Sequence, residues 1–142
     1  MIHNSVNRPI LDFTGNLVHQ KTEAIVDPAS EDLDLTVGAA RAIAVAVGPR
    51  LEDECRDFIS QHGQLEITQA MHTSAGNLPP PISYVIHVVG PSFTTLSGKA
   101  KFYQDLRSAF RNCLQYANDV VKVRSVSVPG ISTGRFTEEV DY

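Results

Sequence analysis

Apolar and polar positions repeat along the chain with two different periods, and each period predicts one type of element. Short apolar runs predict β-strands at residues 8–13, 23–30, 65–71, 83–90 and 125–128. The run at 65–71 alternates with a period of two, as expected for a strand with one covered face. The run at 83–90 is almost continuously apolar, which predicts a central strand covered on both faces. Pro28 is expected to end the second strand, because proline cannot donate to a ladder.

Helices are predicted between these strands. Residues 38–47 are small and apolar almost all round, which is typical of a buried helix start. A charged continuation is expected to end at Gly63. Between residues 102 and 117, apolar side chains recur at steps of three and four and predict one buried helix face. Strands and helices in alternation, without a linker or a repeat, predict one α/β domain over residues 1–142 with a partly parallel sheet.

Charge and composition restrict the partners of such a domain. The 142 residues carry a formal net charge of −4, and Lys and Arg form no cluster, so duplex nucleic acid is not expected as a partner. Apolar runs stay well below the roughly 20 residues that span a bilayer, and residues 1–9 lack the hydrophobic centre of a signal peptide. We therefore expect an intracellular protein, in the cytoplasm or nucleus, that does not bind membranes. Cys55 and Cys113 are isolated and are predicted to be reduced packing residues.

Two loops are candidates for ligand binding, because ligands of open α/β sheets bind beyond the carboxyl ends of the strands. One loop follows the strand at 23–30, and the other, with the sequence PGISTGRF, follows the strand at 125–128. These loops contain glycines that allow close approach of a ligand to the backbone, and hydroxyls that can donate to phosphate oxygens. They are Gly38, Gly130, Gly134, Ser132 and Thr133. By composition alone, the same pattern also fits an ordinary turn.

Three further features have both a structural and a functional interpretation. His87 lies inside an apolar run and is predicted to be a core histidine rather than a catalytic base. Asp27 is interpreted as a turn residue, with a role as general acid or base as the alternative. Glu31, Asp32 and Asp34 lie close together but lack the spacing of a calcium-binding loop, so we expect a solvated loop and no metal site.

Four segments carry a resemblance to a known family. TEAIVDPAS, GAARAIAVAVGPRLEDEC, TSAGNLPPPISYVIHVVGP and SVSVPGISTGRF, in this order and at these spacings, resemble the macro domain, an α/β module that binds ADP-ribose. The resemblance covers nearly the whole chain from Gly15 onward. It implies a three-layer α/β/α fold with a mixed central sheet.

The resemblance also implies an incomplete carboxyl end. Macro domains normally continue to a further strand, which lies beside the strand at 125–128, and to a final helix. This sequence stops before them, so we expect a truncated macro domain that lacks the last strand and helix. An unpaired strand edge invites pairing with another chain. We therefore expect either a truncated fragment of lower stability or self-association that completes the sheet with a neighbouring molecule.

The ligand contacts that the resemblance implies lie mainly in the two loops. The diphosphate is expected against backbone N–H groups of the second loop, with Phe136 near the distal ribose. The implied binding residues are Asn16, Ser30, Gly38, Ala39, Gly130, Ile131, Ser132, Thr133, Gly134, Arg135 and Phe136. The implied ligand is ADP-ribose, free or on a mono-ADP-ribosylated protein, without a cofactor or a metal.

The first loop departs from the family pattern. The family usually has Asn-Ala-Ala-Asn and then a run of glycines, whereas this chain has Asp27, Pro28, Ala29 and Ser30, followed by Leu35, Thr36, Val37 and Gly38. Leu35 and Val37 are expected to crowd the ribose. Asn16 replaces the usual adenine-binding aspartate, and Ala40 falls where some hydrolytic relatives have an aspartate that activates water. We therefore expect weak binding of ADP-ribose and no catalytic residue. A mono-ADP-ribosyl-protein hydrolase and a degenerate protein-interaction module are the alternatives.

Overall fold

The computed structural model describes residues 16–93 and 98–131, together with the backbone of two short strands near the amino terminus. The strands and helices, in chain order, are β1 (Ile2–His3), β2 (Pro9–Ile10), β3 (Ala24–Ala29), α1 (Gly38–Val47), α2 (Pro49–His62), β4 (Ala70–Ser74), β5 (Tyr84–Val89), α3 (Gly98–Tyr116) and β6 (Val126–Ser127). A 3-10 turn at Leu17–His19 precedes β3, and a π turn at Ala117–Val121 follows α3.

The main sheet is mixed and lies between two helical layers. Its strand order is β4-β5-β3-β6, with β3 parallel to β5 and β6, and β4 antiparallel to β5. Ile25 and Val85 face a core cluster that includes Ile43 of α1 and Leu51 of α2. The opposite face of the sheet forms a second cluster with α3, in which the buried residues include Val26, Ile86, Ala109 and Cys113. The predicted three-layer α/β/α architecture is confirmed.

Strand β3 continues through Pro28, so the prediction that this proline ends the strand is wrong. Pro28 pairs in register with Val88 of β5. The Ala24 N–H donates to the Ser125 carbonyl on the β6 side, so even-numbered residues of β3 direct their backbone groups away from β5. The backbone nitrogen of Pro28 therefore faces the β6 side of the strand, beyond the end of the short strand β6. Because no ladder bond is formed there, the proline removes none.

The predicted single run of helix is divided in two. Gly48, with φ +98°, separates α1 from α2, and Pro49 is the first residue of α2, a position that suits proline because its N–H is not needed there. The expectation that α1 is buried all round is also wrong, since Val45 is 75% exposed. Helix α2 ends at His62, and Gly63 follows as its C-cap, as predicted.

Strand β4 starts later than the pattern predicted. The Gln69 N–H donates to the Glu66 carbonyl, which forms a turn inside the predicted strand at 65–71. Thr68 in this turn has φ +78°, and Leu65 is buried ahead of it. The apolar and polar alternation therefore belongs to a turn followed by a strand at Ala70–Ser74.

The remaining elements follow the prediction closely. Five consecutive residues of β5 are buried, and His87 among them is fully excluded from solvent. Helix α3 buries Phe102 and Cys113 on one face. Pro9–Ile10 lies within the first predicted strand, and β6 is confirmed at Val126–Ser127. The incomplete carboxyl end concerns residues after 131, which lie outside the described part. Within that part, no helix has the length and the apolar character needed to cross a bilayer.

Candidate functional site

The two predicted ligand loops begin at the same edge of the sheet. Strands β3, β5 and β6 are parallel, so their carboxyl ends point the same way, and the loops after Ala29 and Ser127 leave from that edge. The amino end of α1 follows the first loop directly. Ser132, Thr133, Gly134, Arg135 and Phe136 lie outside the described residues, and their predicted contacts stay predictions.

The first loop is held together by its own polar side chains. The Ser30 hydroxyl donates to Asp32 Oδ1 at 2.8 Å and accepts the Asp34 N–H at 2.9 Å. Asp34 Oδ1 in turn accepts the Thr36 N–H at 2.9 Å. The hydroxyl of Ser30, which was predicted to contact the ligand, is therefore engaged within the loop. Asp32 and Asp34 are exposed, as expected for a solvated loop.

The leucines of this loop point inward. Leu33 is 5% exposed and belongs to the core cluster under α1 and α2, and Leu35 packs against the same cluster. The expectation that Leu35 crowds the ribose is not supported by this packing. Val37, at 47% exposed, keeps its side chain at the surface beside the start of α1. Of the two residues expected to crowd the ribose, Val37 is therefore the exposed one.

The amino end of α1 presents backbone donors without a side-chain cap. Val37 occupies the N-cap position and makes no side-chain bond to the helix, and the first N–H groups of a helix have no partner within it. Gly38 has φ +62°, and a Cβ built there would meet nothing within 4 Å. Ala39 is exposed, whereas Ala40 is 6% exposed and faces the core. This end of α1 has the space and the donors that suit an anionic group.

Two other predicted site residues have structural contacts. The Asn16 side chain accepts the Val18 N–H at 3.1 Å and caps the 3-10 turn, so its carboxamide oxygen is engaged. Its NH2 group is not part of that cap. Ile131 is 1% exposed and packs with Val26 and Val88 under α3. The side chain of Ile131 therefore anchors the second loop in the core, and only its backbone is suited to a ligand contact. Gly130 beside it is exposed.

A buried polar group crosses the centre of the sheet, and the sequence did not reveal it. His87 Nδ1 lies 2.8 Å from Asp27 Oδ2, and His87 Nε2 lies 2.9 Å from Thr73 Oγ1. All three residues are almost completely buried. The core assignment of His87 is confirmed. The interpretation of Asp27 as a turn residue is wrong, because it lies within β3. The order of carboxylate, imidazole and hydroxyl resembles a catalytic triad, but its burial excludes a substrate.

Cys55 lies near this group, on the inner face of α2. Burial, followed by the charges of Asp27 and Glu54, raises the pKa of the Cys55 thiol to about 12. Burial alone raises the pKa of Cys113 to about 12 on the other side of the sheet. Both thiols are free, and both are packed in the core as predicted. Such thiols remain protonated and unreactive near neutral pH.

A cavity of about 450 Å³ lies between the first loop and α2. Its lining combines acidic and apolar side chains with one arginine and includes Asp32, Asp34, Leu35, Glu52 and Arg56. No cluster of three or more His, Cys, Asp or Glu side chains with the arrangement of a metal site occurs in the described part of the chain.

Comparisons with known proteins agree with this architecture. The family model for the macro domain matches residues 26–141. The O-acetyl-ADP-ribose deacetylase of Salmonella typhimurium is 36% identical over 120 residues, which cover 84% of this chain and 64% of that protein. Human protein mono-ADP-ribosyltransferase PARP14 is 34% identical over 122 residues, which cover 86% of this chain and 7% of that protein.

A solved structure has the same fold. A variant of the Oceanobacillus iheyensis macrodomain, determined with ADPR, superimposes with a TM-score of 0.76 at 30% identity and covers 86% of this chain and 64% of that one. The chain thus spans less than two thirds of the length of these bacterial relatives. Sequence, family model and fold agree, and the chain belongs to the macro domain family.

Proposed function

We propose that this chain binds ADP-ribose, free or attached to a protein, at the edge where β3, β5 and β6 end. The observation that carries the proposal is the uncapped amino end of α1, where Gly38 leaves open space in front of backbone donors. Membership of the macro domain family and the ADPR-bound relative support the same ligand. The diphosphate suits this end of the helix because it carries the negative charge, and backbone N–H groups of the second loop, which leaves from the same edge, are predicted to bind it as well.

We also propose that binding occurs without hydrolysis. The Ser30 hydroxyl is hydrogen-bonded to Asp32 and to the Asp34 N–H, so it is poorly placed to orient a ribose. Ala40 has no group that can activate water, and its methyl faces the core. Loss of general-base assistance typically costs about 10² to 10⁴ in rate. Ser30 and Ala40 therefore support binding without hydrolysis.

Hydrolysis is the second candidate function, and one observation favours it. Several relatives at 35 to 36% identity are named O-acetyl-ADP-ribose deacetylase. A chain of this family that cleaved an ester of ADP-ribose would use the same crevice. The two candidates therefore differ in turnover rather than in ligand.

Calorimetric titration with ADP-ribose tests the binding site. Gly38→Ala is expected to raise the dissociation constant by about tenfold or more, because its methyl group stands where the ligand must approach the backbone. Gly63→Ala is the matched control. Gly63 also has a positive φ and open space around its Cβ, but it lies at the carbonyl end of α2, which does not attract an anion. Equal affinities for the two variants would contradict the proposed site.

A turnover assay separates the two candidates. The chain is incubated with O-acetyl-ADP-ribose and, separately, with a protein that carries mono-ADP-ribose on Asp or Glu. We expect product formation at the rate of the buffer control, with binding retained. Release well above that control, and its loss in Gly38→Ala, would establish the hydrolase and overturn the non-catalytic assignment.

A further inference from the structure

The outer edge of β4 carries backbone groups that β5 does not use. Strand β4 lies at one end of the strand order and pairs with β5 on one side. The Ala75 N–H donates to the Ser83 carbonyl, and the Val89 N–H donates to the Gln69 carbonyl. Odd-numbered residues of β4 therefore bond to β5. The backbone groups of the even-numbered residues, Ala70, His72 and Ser74, point away from β5.

One of these outward groups is covered by a carboxylate. Both Glu54 oxygens lie 3.3 Å from the Ser74 N, and the Ser74 hydroxyl donates to Glu54 Oε2 at 2.6 Å. Glu54 comes from α2, twenty residues earlier in the chain. Arg50, one turn before it, has its Nε 3.7 Å from Oε2 of the same carboxylate. Glu54 therefore acts on the strand edge and is not an isolated surface charge.

The outward N–H and C=O groups of β4 can form hydrogen bonds with the same groups of a second copy of the chain. In an antiparallel pair centred on His72, the N–H and C=O groups of His72 in the two copies would bond to each other. The Ser74 N–H of each copy would then donate to the Ala70 carbonyl of the other. This arrangement needs the one N–H that Glu54 occupies, and it would bring a carbonyl oxygen against the Glu54 carboxylate. A polar or charged group at an open edge is a known way to prevent such pairing.

We propose that Glu54 is an edge cap that prevents β4 from pairing with β4 of a second copy of this chain. The occupant that it excludes is that second copy, because the outward backbone groups of Ala70, His72 and Ser74 match the same groups of a two-fold related copy. This role is independent of the ADP-ribose crevice, since β4 runs away from that edge towards Ser74. It explains why α2 places a carboxylate beside the terminal residue of an edge strand.

The test compares Glu54→Ala with Glu52→Ala by light scattering over a range of concentrations. Both substitutions remove one carboxylate from α2 and one contact with an arginine four residues away, but only Glu54 touches β4. We expect Glu54→Ala to dimerise with a dissociation constant at least about tenfold lower than that of the unmodified chain, as expected from loss of a charge-assisted bond. Glu52→Ala is expected to behave like the unmodified chain.

Hydrogen exchange locates the contact. In Glu54→Ala, the amide of Ser74 should lose protection at low concentration and regain it, together with the His72 amide, as the dimer forms. His72→Pro in the Glu54→Ala background removes an outward N–H that β5 does not use, and it should restore the monomer. Ala70→Pro serves as a second block if thermal melting shows that His72→Pro is unfolded. An unchanged mass for Glu54→Ala, an equal shift for Glu52→Ala, or a dimer that survives a folded proline variant would each overturn the proposal.

Discussion

His87 Nδ1 lies 2.8 Å from Asp27 Oδ2 at the centre of the sheet, and both side chains are excluded from solvent. Thr73 extends this contact to β4 through its own bond to the imidazole. Three neighbouring strands are therefore joined by side chains as well as by their backbones. The other oxygen of Asp27, Oδ1, has no hydrogen-bond partner among the described residues, which makes this carboxylate costly to bury.

Asp27→Asn is expected to lower the free energy of unfolding by about 1 to 3 kcal/mol. Its amide oxygen can still accept from His87 Nδ1, but its NH2 group takes the place of Oδ1 and would be buried without an acceptor among the described residues. Thr73→Val nearly preserves volume but leaves His87 Nε2 unpaired, so it should lower the free energy of unfolding by about 1 to 3 kcal/mol. Urea denaturation measures both changes. An unchanged free energy of unfolding in Asp27→Asn would contradict the assigned burial of this position without a second partner.

The thiols are expected to make the fold less stable at alkaline pH. Burial raises the pKa of Cys55 and of Cys113 from 9.0 to about 12. The unfolded chain therefore releases these protons first, and the free energy of unfolding falls between pH 9 and pH 12, by up to about 1.4 kcal/mol per pH unit for each thiol. Below pH 9 this contribution is constant.

Comparison of Cys55→Ala and Cys113→Ala with the unmodified chain isolates this effect, since each variant should show a shallower decline with pH above pH 9. A thiol reagent such as dithionitrobenzoate provides an independent check at pH 8. We expect slow labelling of the native chain and rapid labelling in urea. Rapid labelling of the native chain would show that a thiol is accessible.

Ala40→Asp is expected to destabilise the chain without creating a hydrolase. Ala40 is 6% exposed, so the new carboxylate would be buried without a partner and should cost about 3 kcal/mol or more. Ala39→Asp is the matched control, because Ala39 is exposed in the same first turn of α1, where a negative charge is favourable by up to about 1 kcal/mol. Thermal melting separates the two variants, and a stable, active Ala40→Asp protein would contradict the assigned burial.

Ala39→Asp also reports on ligand binding. If the diphosphate lies at the amino end of α1, a carboxylate there repels it, and ADP-ribose should bind at least about tenfold more weakly although the fold is intact. Titration with adenosine, which carries no phosphate, provides the control. An unchanged affinity for ADP-ribose would place the phosphates elsewhere.

Gly134→Val tests the second loop, which was predicted to hold the diphosphate through its backbone. A branched side chain at this position should prevent close approach and weaken ADP-ribose binding strongly. Circular dichroism of the variant checks that the fold is retained. If the dissociation constant is unchanged in a folded variant, the loop at 130–136 is not the phosphate site.

Several elements of the fold were predictable from the sequence because their signals are local. The apolar spacing of Phe102 and Cys113 defines α3 within a single helix, and Gly63 ends α2 through its own backbone freedom. The continuous apolar run around His87 indicated a central strand, because a strand that is covered on both faces has apolar side chains on both of them. The order of the four quoted segments carried the resemblance to the macro domain.

Other features depend on partners that are distant in sequence. Pro28 was expected to end β3, and only the short length of β6 beside it explains why the strand continues. Asp27 meets His87 sixty residues away, and Glu54 meets Ser74 twenty residues away. Hydrophobic periodicity does not specify which side chains meet across strands or between a helix and a strand edge. The sequence by itself determined the order of strands and helices and their family. The tertiary structure decided the buried polar group and the capped edge of β4, because both depend on strand order and register.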